Sequence, residues 1–149
     1  MNLEYEFTYS ATLKDPVQIG AGPYGTRLVI EITGGGMDGK RLKGRVLTGG
    51  ADWFLFGPDG WGRVDVRGQL LTDDGAAIYV AYTGLLEMNP KAQQAVTTGG
   101  STDYGDQYFR TSPRFETGDP RYSWLNHALF VAEGRMAPRA VEYRVYRVT

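Results

Sequence analysis

Apolar and polar positions along this chain alternate with a period of two. Leu3, Tyr5, Phe7 and Tyr9 alternate with Glu4, Glu6, Thr8 and Ser10. Successive side chains of a strand point to opposite faces, so this pattern predicts a half-buried strand. Arg27 to Thr33 predicts a second strand, closed by a turn over Gly34 to Gly39. Arg41 to Leu47 alternates again and is expected to pair with it as a hairpin. Asp59-Gly60 separates Trp53–Phe56 from a strand over Arg63 to Thr72, and Asp74-Gly75 leads into another over Ala76 to Glu87. Each Asp-Gly step supplies the positive backbone torsion of a tight hairpin.

One helix is predicted, with Asn89 as N-cap, Pro90 in the first helical position and Lys91 to Val96 following. Thr97 to Gly105 reads as a flexible loop suited to a lid. Strands over Gln107 to Thr111, Ala128 to Glu133 and Ala140 to Val148 follow, with a single turn around Tyr122 to Asn126 between the first two. About nine or ten short strands imply an all-β sandwich or closed barrel. An antiparallel β-barrel with one short helix is favoured, because closure removes exposed edges and a barrel of this size can hold one small ligand.

Composition narrows the picture. The 149 residues fit a single domain over 1–149, and the 21 glycines and 10 tyrosines suit many turns and strands. With 17 acidic against 16 basic residues and no basic tract, neither nucleic acid nor a membrane surface is an expected partner. Cysteine is absent, which excludes disulfides and thiolate chemistry. His127 is the only histidine, so His-rich metal sites are not expected and neither a metal nor a cofactor is called for. The N-terminus lacks the basic start and apolar middle of a signal peptide, so a cytoplasmic protein is the default. Homo-oligomerisation is left open.

Candidate chemistry concentrates in Gly49–Gly75 and Tyr108–Asn126, where aromatics alternate with Asp, Arg and Asn. Gly34, Gly36 and Gly39 satisfy G-x-G-x-x-G, but a period-two segment follows where a dinucleotide site needs a helix. Asp52 beside Trp53 reads either as a turn cap next to a barrel plug or as a general acid–base whose pKa an aromatic wall would raise. Asp65 and Arg67 share one strand face, as a structural pair or an anion clamp. Tyr79 and Tyr82 point to opposite faces, so only one of them can line a given cavity. Arg110 is a second anion-binding candidate, Asn126 offers a donor and an acceptor, and His127 titrates near neutrality.

The succession GGADW, PDG, DVR, TDDGA with IYV, YFRTSPRFET and YSWLN resembles the family called domain of unknown function 3237, from Tyr5 to Val148. That resemblance implies a lipocalin-like barrel with a central pocket. It marks Asp52, Trp53, Asp65, Arg67, Asp74, Tyr79, Arg110, Phe115, Thr117, Trp124 and Asn126, and leaves His127 just outside the motif. Cofactor-free hydration or ring closure onto an alkene is the chemistry it suggests. The leading expectation is therefore an enzyme doing proton-transfer chemistry on a small unsaturated or aromatic ligand. Asp52, Arg67 and Arg110 would be catalytic, and Trp53, Asp65, Tyr79, Asn126 and His127 would bind substrate. The alternative is a barrel that binds a small molecule without catalysis, as a carrier or sensor.

Overall fold

A computed structural model describes residues 1–149. Ten strands follow in the order β1 (Leu3–Leu13), β2 (Val17–Gly22), β3 (Gly25–Gly39), β4 (Lys43–Val46), β5 (Ala51–Phe56), β6 (Trp61–Thr72), β7 (Ala77–Glu87), β8 (Phe109–Glu116), β9 (Phe130–Ala137) and β10 (Ala140–Val148). Helix α1 (Pro90–Thr98) precedes β8, and a 3-10 segment, Pro120–His127, precedes β9. The strands run antiparallel from β1 through β10, β9, β8, β7 and β6, and β4 and β5 share the space between β6 and β3. β1 then pairs with β3, which closes an eight-stranded barrel, while β2 adds to β3 alone.

Closure depends on two glycines. A Cβ on Gly35, where φ is +136°, would lie 1.8 Å from the Ser10 carbonyl oxygen, and one on Gly39 would lie 2.3 Å from that of Glu6. Any side chain there would hold β1 away from β3. This corrects the expected turn at Gly34 to Gly39. The glycines continue β3 and bend it, and the hairpin with β4 turns only after Gly39. The predicted pairing of those two strands does occur, through Gly36–Arg45, Met37–Gly44 and Asp38–Lys43.

β1 changes phase at a bulge between Tyr5 and Phe7. Leu3 and Tyr5 are exposed, whereas Phe7 and Tyr9 are buried. The residue taken up in the bulge, Glu6, turns inward to Arg41 and Arg147, at 2.6 and 2.8 Å. A buried carboxylate needs such partners. Arg41 in turn lies over the Trp124 ring, 3.7 Å from its centroid.

The helix follows its signals. Asn89 Oδ1 accepts the Ala92 N–H at 3.0 Å, and Gly99 ends the helix with φ +66°. The segment after it is not free to act as a lid. Thr102 is buried, its N–H donates to the Met136 carbonyl, and its Oγ1 accepts the Met136 N–H.

The barrel interior divides at Tyr9, Tyr82 and Tyr143, whose rings pack with centroids 5.1–6.3 Å apart. One end is filled by edge-to-face aromatics, Phe7 on Phe115 and Phe115 on Phe130. The other end is hollow. Gly35→Ala is expected to destabilise the protein by about 3 kcal/mol or more, because backbone rather than a movable side chain blocks the new methyl. Gly118→Ala, with open space around the new methyl, should stay within about 0.5 kcal/mol. Equilibrium urea unfolding of the two variants checks this, and equal stabilities would refute the closure argument.

Candidate functional site

The hollow end is a cavity of about 520 Å³. Its wall is apolar, built from Leu28, Ile30, Phe54, Leu86, Met88, Phe109 and Met136 among others, and Tyr82 and Tyr143 stand at its inner end. Ala95, Val96, Gly99 and Gly100 at the end of α1 form part of its rim, with Lys14, Asp15 and Arg139. Asp52 is the one carboxylate in the interior wall.

Asp52 points inward because it pairs with Val66 of β6 and Ile30 of β3, both of which face the interior. Its Oδ1 accepts the Asp65 backbone N–H at 3.0 Å. Burial among apolar side chains raises its pKa, the Asp65 N–H opposes that rise, and the Asp65 charge adds to it. Burial wins, and the carboxyl is pushed up from 3.8 to about 6. The hydroxyls of Tyr9, Tyr82 and Tyr143 are driven upward by burial too, with the Asp52 charge as a smaller contribution. Tyr82 has the other two hydroxyls as neighbours, but Tyr9 OH completes no hydrogen bond. A carboxyl pushed up to about 6 therefore shares an apolar cavity with un-ionised phenols.

The other expected site residues lie elsewhere. Asp52 and Arg67 do not face a common pocket: Arg67 pairs with Ala51, one position out of phase with Asp52, and sits with Tyr79 in a depression on the outer wall. Trp53 follows Asp52 directly and so points outward, 41% exposed, rather than plugging the barrel. Asp65 and Arg110 also face outward, beside Trp53 in a groove of about 800 Å³ that crosses β3 and β5–β9. That groove is larger than the interior cavity but open to solvent along the wall. All three of its arginines are engaged: Arg63 grips Asp59 with both terminal nitrogens, Arg110 bonds the Phe109 carbonyl at 2.9 Å and Arg27 the Trp53 carbonyl at 2.8 Å. Asn126 is a clamp, accepting the Thr117 N–H and donating to the Thr117 carbonyl, both at 2.9 Å. His127 is exposed and contacts only the Ser123 carbonyl. No group of three or more His, Asp or Glu side chains is placed to hold a metal ion, and no helix is long and apolar enough to cross a membrane.

The structure adds Tyr143 and Tyr82 to Asp52 as the polar groups of the cavity. The opposite orientation of Tyr79 and Tyr82 is legible in the sequence, and Tyr82 proves to be the inward one. Tyr143 carries no comparable signal, since only barrel closure brings β10 near β5.

A family described as "Protein of unknown function (DUF3237)" matches residues 1–148. A protein of Clostridium acetobutylicum described as a UPF0311 protein is 35% identical over 150 residues, covering 100% of this chain and 95% of its own length. The crystal structure of a β-barrel-like protein from Acinetobacter baumannii superposes with a TM-score of 0.85 at 35% identity, covering 99% of this chain and 96% of that one. An enzyme from Penicillium herquei has the same fold at 22% identity, with a TM-score of 0.71 and coverage of 97% and 93%.

The displaced titration of Asp52 makes stability depend on pH. The folded-state value lies above the ordinary one, so folding is unpenalised well below pH 3.8 and only slightly penalised at pH 4, where Asp52 is largely protonated when folded. The penalty develops as pH rises from 3.8 through about 6 and is complete above that. The displacement of about two pH units corresponds to about 3 kcal/mol. Asp52→Asn, which keeps an oxygen for the Asp65 N–H, is expected to raise stability by up to about 3 kcal/mol at pH 7.5 and by little at pH 4. Urea titrations at the two pH values check this, and a pH-independent difference would refute it.

Proposed function

The chain belongs to the family of proteins of unknown function DUF3237, and from that premise we propose that it is a cofactor-independent enzyme moving protons on a small, uncharged, unsaturated or aromatic ligand. The observation that carries this reading is the lone interior carboxyl, Asp52, held near neutrality by burial inside an apolar cavity. A group whose pKa is close to the working pH both gives and takes a proton readily. Hydration, intramolecular addition, elimination and isomerisation all need such a group to protonate one atom and accept a proton from another. Tyr82 and Tyr143 supply hydroxyl donors for an oxygen that gains negative charge during reaction. The cavity volume falls in the range of small-molecule sites, and its wall is mostly apolar.

Arg67 and Arg110 have no part in this reading, because both face solvent. The Penicillium herquei enzyme shares the fold, which supports the idea that such a barrel can carry catalysis; its reaction does not transfer on fold alone. The apolar lining also supports a second reading, a carrier that binds the same ligand class without turnover. The two differ in what Asp52 does to a bound molecule. Ligands captured from a library of unsaturated and aromatic compounds by native mass spectrometry would be incubated with the protein in D₂O. Solvent deuterium is expected to enter a carbon–hydrogen position, or a water or alcohol to add across the double bond. Asp52→Asn should retain the ligand but lose about two to four orders of magnitude in rate. Binding without deuterium uptake or conversion in the wild type would favour the carrier.

A further inference from the structure

The ladder between β5 and β6 is broken at one place. Ala51–Arg67 and Asp52–Val66 are paired, as are Leu55–Arg63 and Phe56–Gly62, but Trp53 and Phe54 have no partners in β6. In a regular antiparallel pair of this register the Asp65 N–H would donate to the Trp53 carbonyl. Here both groups have been diverted. The Asp65 N–H goes inward to Asp52 Oδ1 at 3.0 Å, and the Trp53 carbonyl accepts Arg27 Nη1 at 2.8 Å. Arg27 stands on β3 with its side chain in the outer groove, so it reaches the seam from the side opposite the cavity.

The two diversions are complementary. The Trp53 carbonyl lies on the outer, solvent-facing side of the seam, and the Arg27 guanidinium gives it a fixed donor where the ladder would have used the Asp65 N–H. A guanidinium has donors to do this. We propose that Arg27 is a positioning residue of the proton-transfer site: by holding the Trp53 carbonyl out of the ladder, it releases the Asp65 N–H to orient the Asp52 carboxyl and favour its ionised form. This rests on the reading of Asp52 as the proton-transfer group. Arg27 does not line the cavity, and its reach to Asp52 runs through the Trp53 carbonyl and the Asp65 N–H.

The groups that bear on Asp52 define what must be controlled. Tyr82 of β7, Tyr9 of β1 and Tyr143 of β10 face it from inside, and Asp65 of β6 adds a negative charge from the outer side. Lys14, Asp15 and Arg139 sit at the rim. Removing Arg27 deletes a positive charge as well as a hydrogen bond, so a charge-only effect must be separated from the proposed one. Arg110→Met removes an equal charge from the same groove without touching the seam.

The test is an NMR titration of the intact protein that follows the Asp52 side-chain carbon and the Asp65 amide. In the wild type the Asp65 amide should shift with the same midpoint as Asp52, because its proton lies on that carboxyl. In Arg27→Met the Asp52 midpoint is expected to rise by about one pH unit, a tenfold change in acidity, and the Asp65 amide should stop following it. Arg27→Lys, which keeps a donor, should restore part of both effects, and Arg110→Met should leave both unchanged. Equal shifts in Arg27→Met and Arg110→Met would reduce the effect to charge and overturn the proposal. So would a wild-type Asp65 amide indifferent to the Asp52 titration, which decides the matter even if Arg27→Met fails to fold. None of these readouts depends on turnover, so failure of the catalytic reading would be seen separately, in the deuterium experiment.

Discussion

The structure depends on β1 lying against β10 on one side and β3 on the other. That double pairing turns a long meander into a barrel, and only a closed barrel has an inside. It requires the β1 backbone to pass where side chains at Gly35 and Gly39 would stand. The bulge at Glu6 is the local consequence, as β1 shifts phase while it enters the closed part of the sheet. Its buried carboxylate is then satisfied by Arg41 and Arg147, which tie β1 to the chain after β3 and to β10. Closure, bulge and ion cluster form one device.

Closure also sets the chemistry of Asp52. The same carboxyl on the outer face would stand in the open groove, as Asp65 does one strand away. Inside, burial and hydrogen bonding pull in opposite directions, and the direction of the net effect identifies the stronger. One backbone N–H opposes the loss of water without cancelling it. A site with two or three donors would hold the carboxylate ionised and make it a poor acid at neutral pH. The broken β5–β6 ladder supplies one donor, an intermediate position that fits the proposed proton-transfer role.

Much of the fold was legible in the chain because its signals are local. The Asp-Gly turns, the Asn89–Pro90 helix start and the strand Ala140–Val148 depend on neighbouring residues alone. Gly34 to Gly39 misled because glycine serves equally in turns and in close strand crossings, and the choice between them is made by β1, some twenty-five residues earlier. Of the candidate site residues named from the sequence, Asp52 alone lines the interior cavity. Alternation says which residues share a face but not which face is inside, so it cannot separate Asp52 from Arg67 on the adjacent strand, although the register opposes them. Trp53 adjoins Asp52 in the chain, and adjacency in a strand means opposite faces. Tyr143 and Arg27 lie far along the chain from Asp52, and only register and closure relate them to it.

The distribution of charge between wall and interior limits what the cavity can hold. Its wall offers a carboxyl and phenols but no cation, since Lys14 and Arg139 stand only at the rim. Both rim cations have partners, Arg139 on Asp15 at 2.6 Å and Lys14 on Glu31 at 3.2 Å. An anionic ligand would lose its hydration without gaining a counter-charge and would meet the ionised form of Asp52. A cationic one would be drawn to Asp52, but it would hold the carboxylate ionised and remove it from proton transfer. A neutral ligand avoids both penalties: it gains from burial of its apolar surface and leaves Asp52 free to titrate. Under the proposed function, a polar substituent would be best accommodated at the rim, where Lys14, Asp15 and Arg139 meet solvent, and the reactive part of the ligand would point inward to Asp52, Tyr82 and Tyr143.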